Sequence, residues 1–169
     1  MPDMQVINDK NVTHQYRLAA SQTILPDQPV RLNTSGLVEL ADATSADLLG
    51  TSMGKVTSSA EGDLIMVYDD PDAEFEIKAD DATQATRAKT GDLCDLIVSG
   101  SVFYANLDAT STKVLKVVQG LAADFDPLMD GTSITGSALA GNFTPPWNNK
   151  ARIRVKIDLH LKGNQARLA

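Results

Sequence analysis

Two histidines, one cysteine and a dense run of carboxylates are the groups to weigh first for chemistry. His14 lies near the start of the chain and His160 near its end. Neither sits in an HxxH, HExxH or CxxC pattern, the spacings that bring zinc ligands together. Both read as surface residues. Cys94 stands in Leu93-Cys94-Asp95-Leu96, a strand-like stretch, and reads as a small buried hydrophobe. A single thiol cannot form an internal disulfide. No GxSxG nucleophile elbow is expected, nor a dinucleotide fingerprint or P-loop, for which the housing βαβ alternation is missing.

The carboxylates are Glu61, Asp63, Asp69, Asp70, Asp72, Glu74, Glu76, Asp80 and Asp81, with Lys78 the one base among them. Hard cations bind where several oxygens converge. Yet Asp69-Asp70-Pro71-Asp72-Ala73-Glu74 lacks the glycine and the closing glutamate of an EF-hand loop. Glu74 and Glu76 fall on one face of a strand, about 7 Å apart. A solvated acidic face that blunts a strand edge is the first reading. Contact with a basic partner is the second and a bound cation the third. No catalytic, cofactor-binding or metal-ligating residue is assigned, and the chain is not expected to be an enzyme.

The bulk composition agrees. The chain has 169 residues and a net charge of −7, with 43% hydrophobic but only 5% aromatic residues. That suits one domain whose core leans on Val, Leu, Ile and Ala, a core either thin or shared with partners. An acidic chain repels nucleic acid, so none is expected as a partner. No apolar run reaches the roughly 20 residues that span a bilayer. Met-Pro-Asp-Met-Gln has neither the basic start nor the apolar stretch of a signal peptide, so synthesis in a cytoplasm is expected. The charge is uneven. The last twenty residues hold six of the 15 basic side chains and one of the 22 acidic ones. Arg152, Arg154 and Lys156 share one strand face there, available to offset the acidic face within a subunit or to meet it between copies.

The elements that must position these groups are mostly strands. Residues 1–15 are polar and read as an N-terminal arm, tied down, if at all, by a neighbouring subunit. His14 and Tyr16 at its root are candidate partner contacts. Val30-Arg31-Leu32 and Leu37-Val38-Glu39-Leu40, joined by Asn33-Thr34-Ser35-Gly36, predict a hairpin. Leu48 to Val56, with Gly50 and Gly54, predicts a strand with a bulge or bend. The continuous run Leu64-Ile65-Met66-Val67-Tyr68 predicts a central strand buried on both faces. Phe75, Ile77 and Ala79 alternate with polar neighbours, a strand with one wet face. Residues 80–90 could form a short helix. Leu93 to Val98 predicts another strand, with Val102-Phe103-Tyr104 as its continuation past Gly100, and Val114 to Val118 a further one. Residues 120–149 form a long loop in which Phe143 and Trp147 are candidate anchors on a partner. Residues 151–161 alternate most clearly of all, with Ile153, Val155 and Ile157 opposite Arg152, Arg154 and Lys156. The prediction is a mainly β protein, a small barrel or sandwich over residues 16–161, with a polar tail at 162–169.

Certain stretches resemble a known family. Asp69-Asp70-Pro71-Asp72-Ala73-Glu74-Phe75-Glu76-Ile77, Gly91-Asp92-Leu93 with the strand after it, and Gly36-Leu37-Val38-Glu39-Leu40 followed by Leu48-Leu49-Gly50 resemble small head decoration (cement) proteins of tailed phages. The resemblance spans roughly residues 30–120 and rests on turn and strand spacing. It implies a β-barrel or β-tulip body, often trimeric with dimers possible, on the capsid exterior. The implied partners are the major capsid protein and copies of the chain itself. Another virion β-protein of the tail or fibre is the alternative, and a carbohydrate- or metal-binding module a more distant one.

Overall fold

The computed structural model describes residues 3–7, 13–80, 89–108, 110–120 and 152–158. Thirteen strands account for half of them: β1 (Met4–Val6), β2 (Thr13–Arg17), β3 (Thr23–Ile24), β4 (Pro29–Leu32), β5 (Val38–Leu40), β6 (Gly50–Ser52), β7 (Val56–Thr57), β8 (Leu64–Tyr68), β9 (Phe75–Ala79), β10 (Leu93–Ser99), β11 (Val102–Asn106), β12 (Leu115–Gly120) and β13 (Arg152–Ile157). Among the described residues no helix is long and apolar enough to cross a membrane.

Alternation builds the larger sheet. In β9, Phe75, Ile77 and Ala79 are buried between half-buried Glu76 and Lys78, and β13 repeats the pattern with Ile153, Val155 and Ile157. Strands with one apolar face must curl that face onto something, and here the sheet closes on itself. The order β9-β11-β10-β12-β13 returns to β9, giving a five-stranded barrel. Every pairing is antiparallel except β11 with β9. The interior holds Phe75, Ile77, Phe103, Leu96, Leu115, Ile153 and Val155. Burying each such side chain contributes about 1.5–3 kcal/mol.

β1 seals the seam of this barrel. One edge of β9 is taken by β13; the other is shared between β1 at Phe75–Ile77 and β11 at Lys78–Ala79. Met4 is fully buried in the barrel core. The loose arm expected over residues 1–15 is therefore corrected where it is described. Residues 4–6 are a barrel strand, and residues 13–15 begin β2, which pairs with β8. A three-residue strand is too short for period-two alternation to reveal it.

The smaller sheet runs β2-β8-β6-β4-β5 around a second core of Leu18, Ile24, Val30, Val38, Leu49, Ile65 and Val67. It also curls. Just past β2, Leu18 bridges Val38 of β5 and Ala19 N donates to Val38 O at 2.8 Å. Leu40 packs against both cores. The predicted β4–β5 hairpin is present, its turn closed by Gly36 N on Asn33 O at 2.9 Å with Gly36 at φ 75°. Arg31 sits opposite Glu39 and pairs with it at 2.8 Å.

Two further expectations change. β8 has one buried face, not two: Ile65 and Val67 are inside, whereas Leu64 is 52% and Met66 37% exposed. β11 does not continue β10 but turns back along it through Gly100 and Ser101, both at positive φ (58° and 66°). That is the backbone a two-residue hairpin turn demands. The expected strand over Leu48–Val56 divides at Met53–Lys55 into β6 and β7, consistent with the predicted bend. The expected helix at 80–90, the long loop at 120–149 and the tail at 162–169 fall largely or wholly outside the described residues.

Candidate binding surface

His14 and Tyr16 lie two apart on β2, opposite Val67 and Ile65, so both point to the inner face of the small sheet. They converge on Asp69, the residue after β8. His14 Nδ1 lies 2.8 and 3.1 Å from the two carboxylate oxygens, and Tyr16 OH donates to Oδ2. The Asp69 side chain is fully buried while the His14 side chain is 53% exposed. Two residues read as partner contacts are thus tied to a carboxylate of their own chain. A separation of 55 residues hides that pairing from any local pattern.

Two charged candidates on the barrel pair with each other. Arg152 forms an ion pair with Glu76 through Nε, and its terminal nitrogen donates to Glu76 O at 3.2 Å. Arg154 lies opposite Glu76, and Lys156 opposite Lys116 of β12. Glu74 is half-buried, and its carbonyl accepts from Ile7 N at 3.0 Å. Phe143 and Trp147 lie outside the described residues.

The acidic stretch is not one wet face. Asp69 and Asp70 are buried, and Asp70 Oδ1 accepts from Asp72 N at 2.8 Å to close a local turn. Among the described residues no group of three or more His, Cys, Asp or Glu is placed to hold a metal ion. The Cys94 thiol is pushed up to about 12 by burial and then by neighbouring Asp95, which makes it unreactive.

Gly50-Thr51-Ser52-Met53-Gly54 does carry the spacing of a nucleophile elbow, contrary to the expectation of none. The fold removes the chemistry. Ser52 is fully buried, donates to Leu25 O, accepts from Gln28 N at 3.2 Å, and lies in a strand between two others rather than in a strand-to-helix turn.

Asp95 shows what a carboxylate does here. It accepts backbone N–H bonds from Ser111, Thr112 and Lys113, each at 2.8 Å, and so fixes the turn into β12. Burial alone would raise its pKa, but those donors outweigh it and hold the group below the ordinary value. Asp95→Ala should cost roughly 1–3 kcal/mol at neutral pH. A depressed folded pKa gives stability that is present above the unfolded value and lost as pH falls through the folded one. The difference in melting temperature between wild type and variant should therefore shrink in acid; a gap independent of pH would contradict this role.

Among the described residues, several large apolar side chains also stay exposed. On the outer face of β8, Leu64 and Met66 stand opposite Arg17 and Gln15 of β2. Met53, 42% exposed, extends the strip, its N–H on Met66 O at 3.0 Å. Leu25 is exposed close by, its carbonyl held by Ser52 Oγ. Exposed apolar side chains gathered on one sheet face mark interaction sites more often than scattered ones do. The continuous apolar run 64–68 concealed this, since periodicity cannot tell which side of such a run is wet.

No protein-family model matches the chain. No curated protein matches it either.

Proposed function

We propose that this chain is a virion structural protein that binds the outside of a tailed-phage capsid and stabilises contacts between major capsid protein subunits, alone or as a small homo-oligomer such as a trimer. The observation that carries the reading is the apolar strip of Leu64, Met66 and Met53, on a body where His14 pairs with Asp69 and Arg152 with Glu76 inside the chain. The smaller sheet supplies the platform, and the strip on β8 supplies surface that gains by being covered. The sequence resemblance to decoration proteins supplies the kind of partner. Flanking Arg17 and Gln15 give the strip a polar rim, the usual anatomy of a protein contact.

The test is co-sedimentation of the purified protein with empty capsids that lack it. Wild type should pellet with the capsids. Leu64→Ser with Met66→Ser should stay folded, since both side chains are exposed, and bind at least about tenfold more weakly. A wild-type protein that stays in the supernatant, whatever its concentration, overturns the proposal. Unchanged binding by the folded double variant removes the strip from it.

A further inference from the structure

The seam strand β1 meets the rest of the molecule where two carboxylates lie together. Met4 N donates to Asp27 O at 2.9 Å, which brings Asp3, the preceding residue, alongside Asp27 in the turn between β3 and β4. Both are half-buried. Gln28, itself buried, holds the corner: its Nε2 lies 3.5 Å from Asp3 Oδ2, its Oε1 accepts from Leu25 N at 2.8 Å, and its N–H donates to Ser52 Oγ. Asp27 is fixed in turn, with φ 61° and its N–H on Ser52 O at 2.9 Å.

We propose that Asp3 and Asp27 form an electrostatic latch on β1, in which ionisation of both carboxylates loosens the seam strand and neutralisation of either tightens it. The proposal stands apart from the capsid reading. The described groups facing the pair bear on it. From β9 comes Lys78 and from β13 Arg152, both attractive; a backbone N–H of Phe103 in β11 also favours ionised Asp3. Arg152 is engaged by Glu76, which weakens its help. Burial outweighs these groups at Asp3. At Asp27 burial acts first and repulsion from Asp3 second. Both carboxyls are accordingly held above the ordinary value of 3.8. For an acid with a raised folded pKa, the stabilising contribution is full below the unfolded value and is lost as pH rises through the folded one. The latch is therefore tight in acid and loosest near neutrality, opposite in sign to Asp95.

The experiment compares wild type, Asp3→Asn, Asp27→Asn and the double variant by thermal unfolding at pH 4 and pH 7, with amide exchange at Met4 as the local readout. Asparagine keeps the Gln28 contact at position 3 and tolerates the left-handed backbone at position 27. At pH 7 each single variant should melt about 2 °C or more above wild type, and the double variant should gain less than the sum. At pH 4 the differences should narrow. In wild type, protection of the Met4 amide, corrected for intrinsic exchange, should fall severalfold from pH 4 to pH 7. Single variants no more stable than wild type at pH 7, additive gains, or Met4 protection independent of pH would each overturn the latch.

Discussion

Met4→Ala is expected to lower stability by roughly 2–5 kcal/mol, an effect usual for a central core residue. Three observations converge on it. Met4 is fully buried in the larger core, its strand occupies the part of the β9 edge that β11 does not reach, and its N–H ties the strand to the turn before β4. Truncation to alanine leaves a cavity among Phe75, Ile77 and their neighbours, and packed interiors close such cavities only partly. A shift of the urea midpoint at constant slope would measure the loss. A change within about 0.5 kcal/mol, the range of an unengaged surface position, would show that β1 does not seal the barrel. The same geometry bears on mapping the proposed capsid contact: deleting residues 1–15 would remove β1 and three of the five residues of β2, so lost binding could follow from lost fold. Point substitutions on the outer face of β8 avoid that.

Gly50→Ala should be at least as damaging, roughly 4 kcal/mol or more, or should abolish soluble expression. A Cβ built on Gly50 would lie 1.8 Å from Tyr68 O and 2.8 Å from Tyr68 C, both backbone atoms of the paired strand. Neither can swing aside as a side-chain tip could. Gly50 also sits at φ 156°, inside the range that side-chain-bearing residues rarely adopt. Relief requires β6 to move off β8, which opens the small sheet between Thr51 and Tyr68. Gly54, four residues on, has nothing within 4 Å of its would-be Cβ. Gly54→Ala is the control and should stay within about 0.5 kcal/mol of wild type. Equal behaviour of the two variants in chemical unfolding would contradict the close approach.

Elements with enough residues to show a period were legible in the sequence. The alternation at 75–79 and 152–157 marked barrel strands with one face inward, and Asn33-Thr34-Ser35-Gly36 marked a hairpin turn. What stayed hidden depends on partners far along the chain. Three-residue β1 is a strand because β9 offers an open edge, not because of its own pattern. Leu64 and Met66 look like core residues until the sheet is assembled and, among the described residues, no second layer covers them. Gly50 was legible as a bend, but not as the point where two backbones nearly touch. The site reading changed most. His14, in the expected arm, and Tyr16, just past it, read as partner contacts, yet they serve buried Asp69, and Arg152 and Glu76 serve each other. Polar side chains in a β-rich chain are readily consumed by cross-strand pairing, which a linear sequence does not display. Apolar exposure is the signal that survives folding.

The proposed function requires the outer face of β8 to be covered when the protein is at work. An electron cryo-microscopy map of capsids saturated with the protein would test this most directly. The predicted result is density on the capsid exterior, with the outer face of β8, Leu64 and Met66 foremost, packed against major capsid protein. Density that leaves this face open to solvent, or capsids that carry none of the protein at saturating concentration, would contradict it.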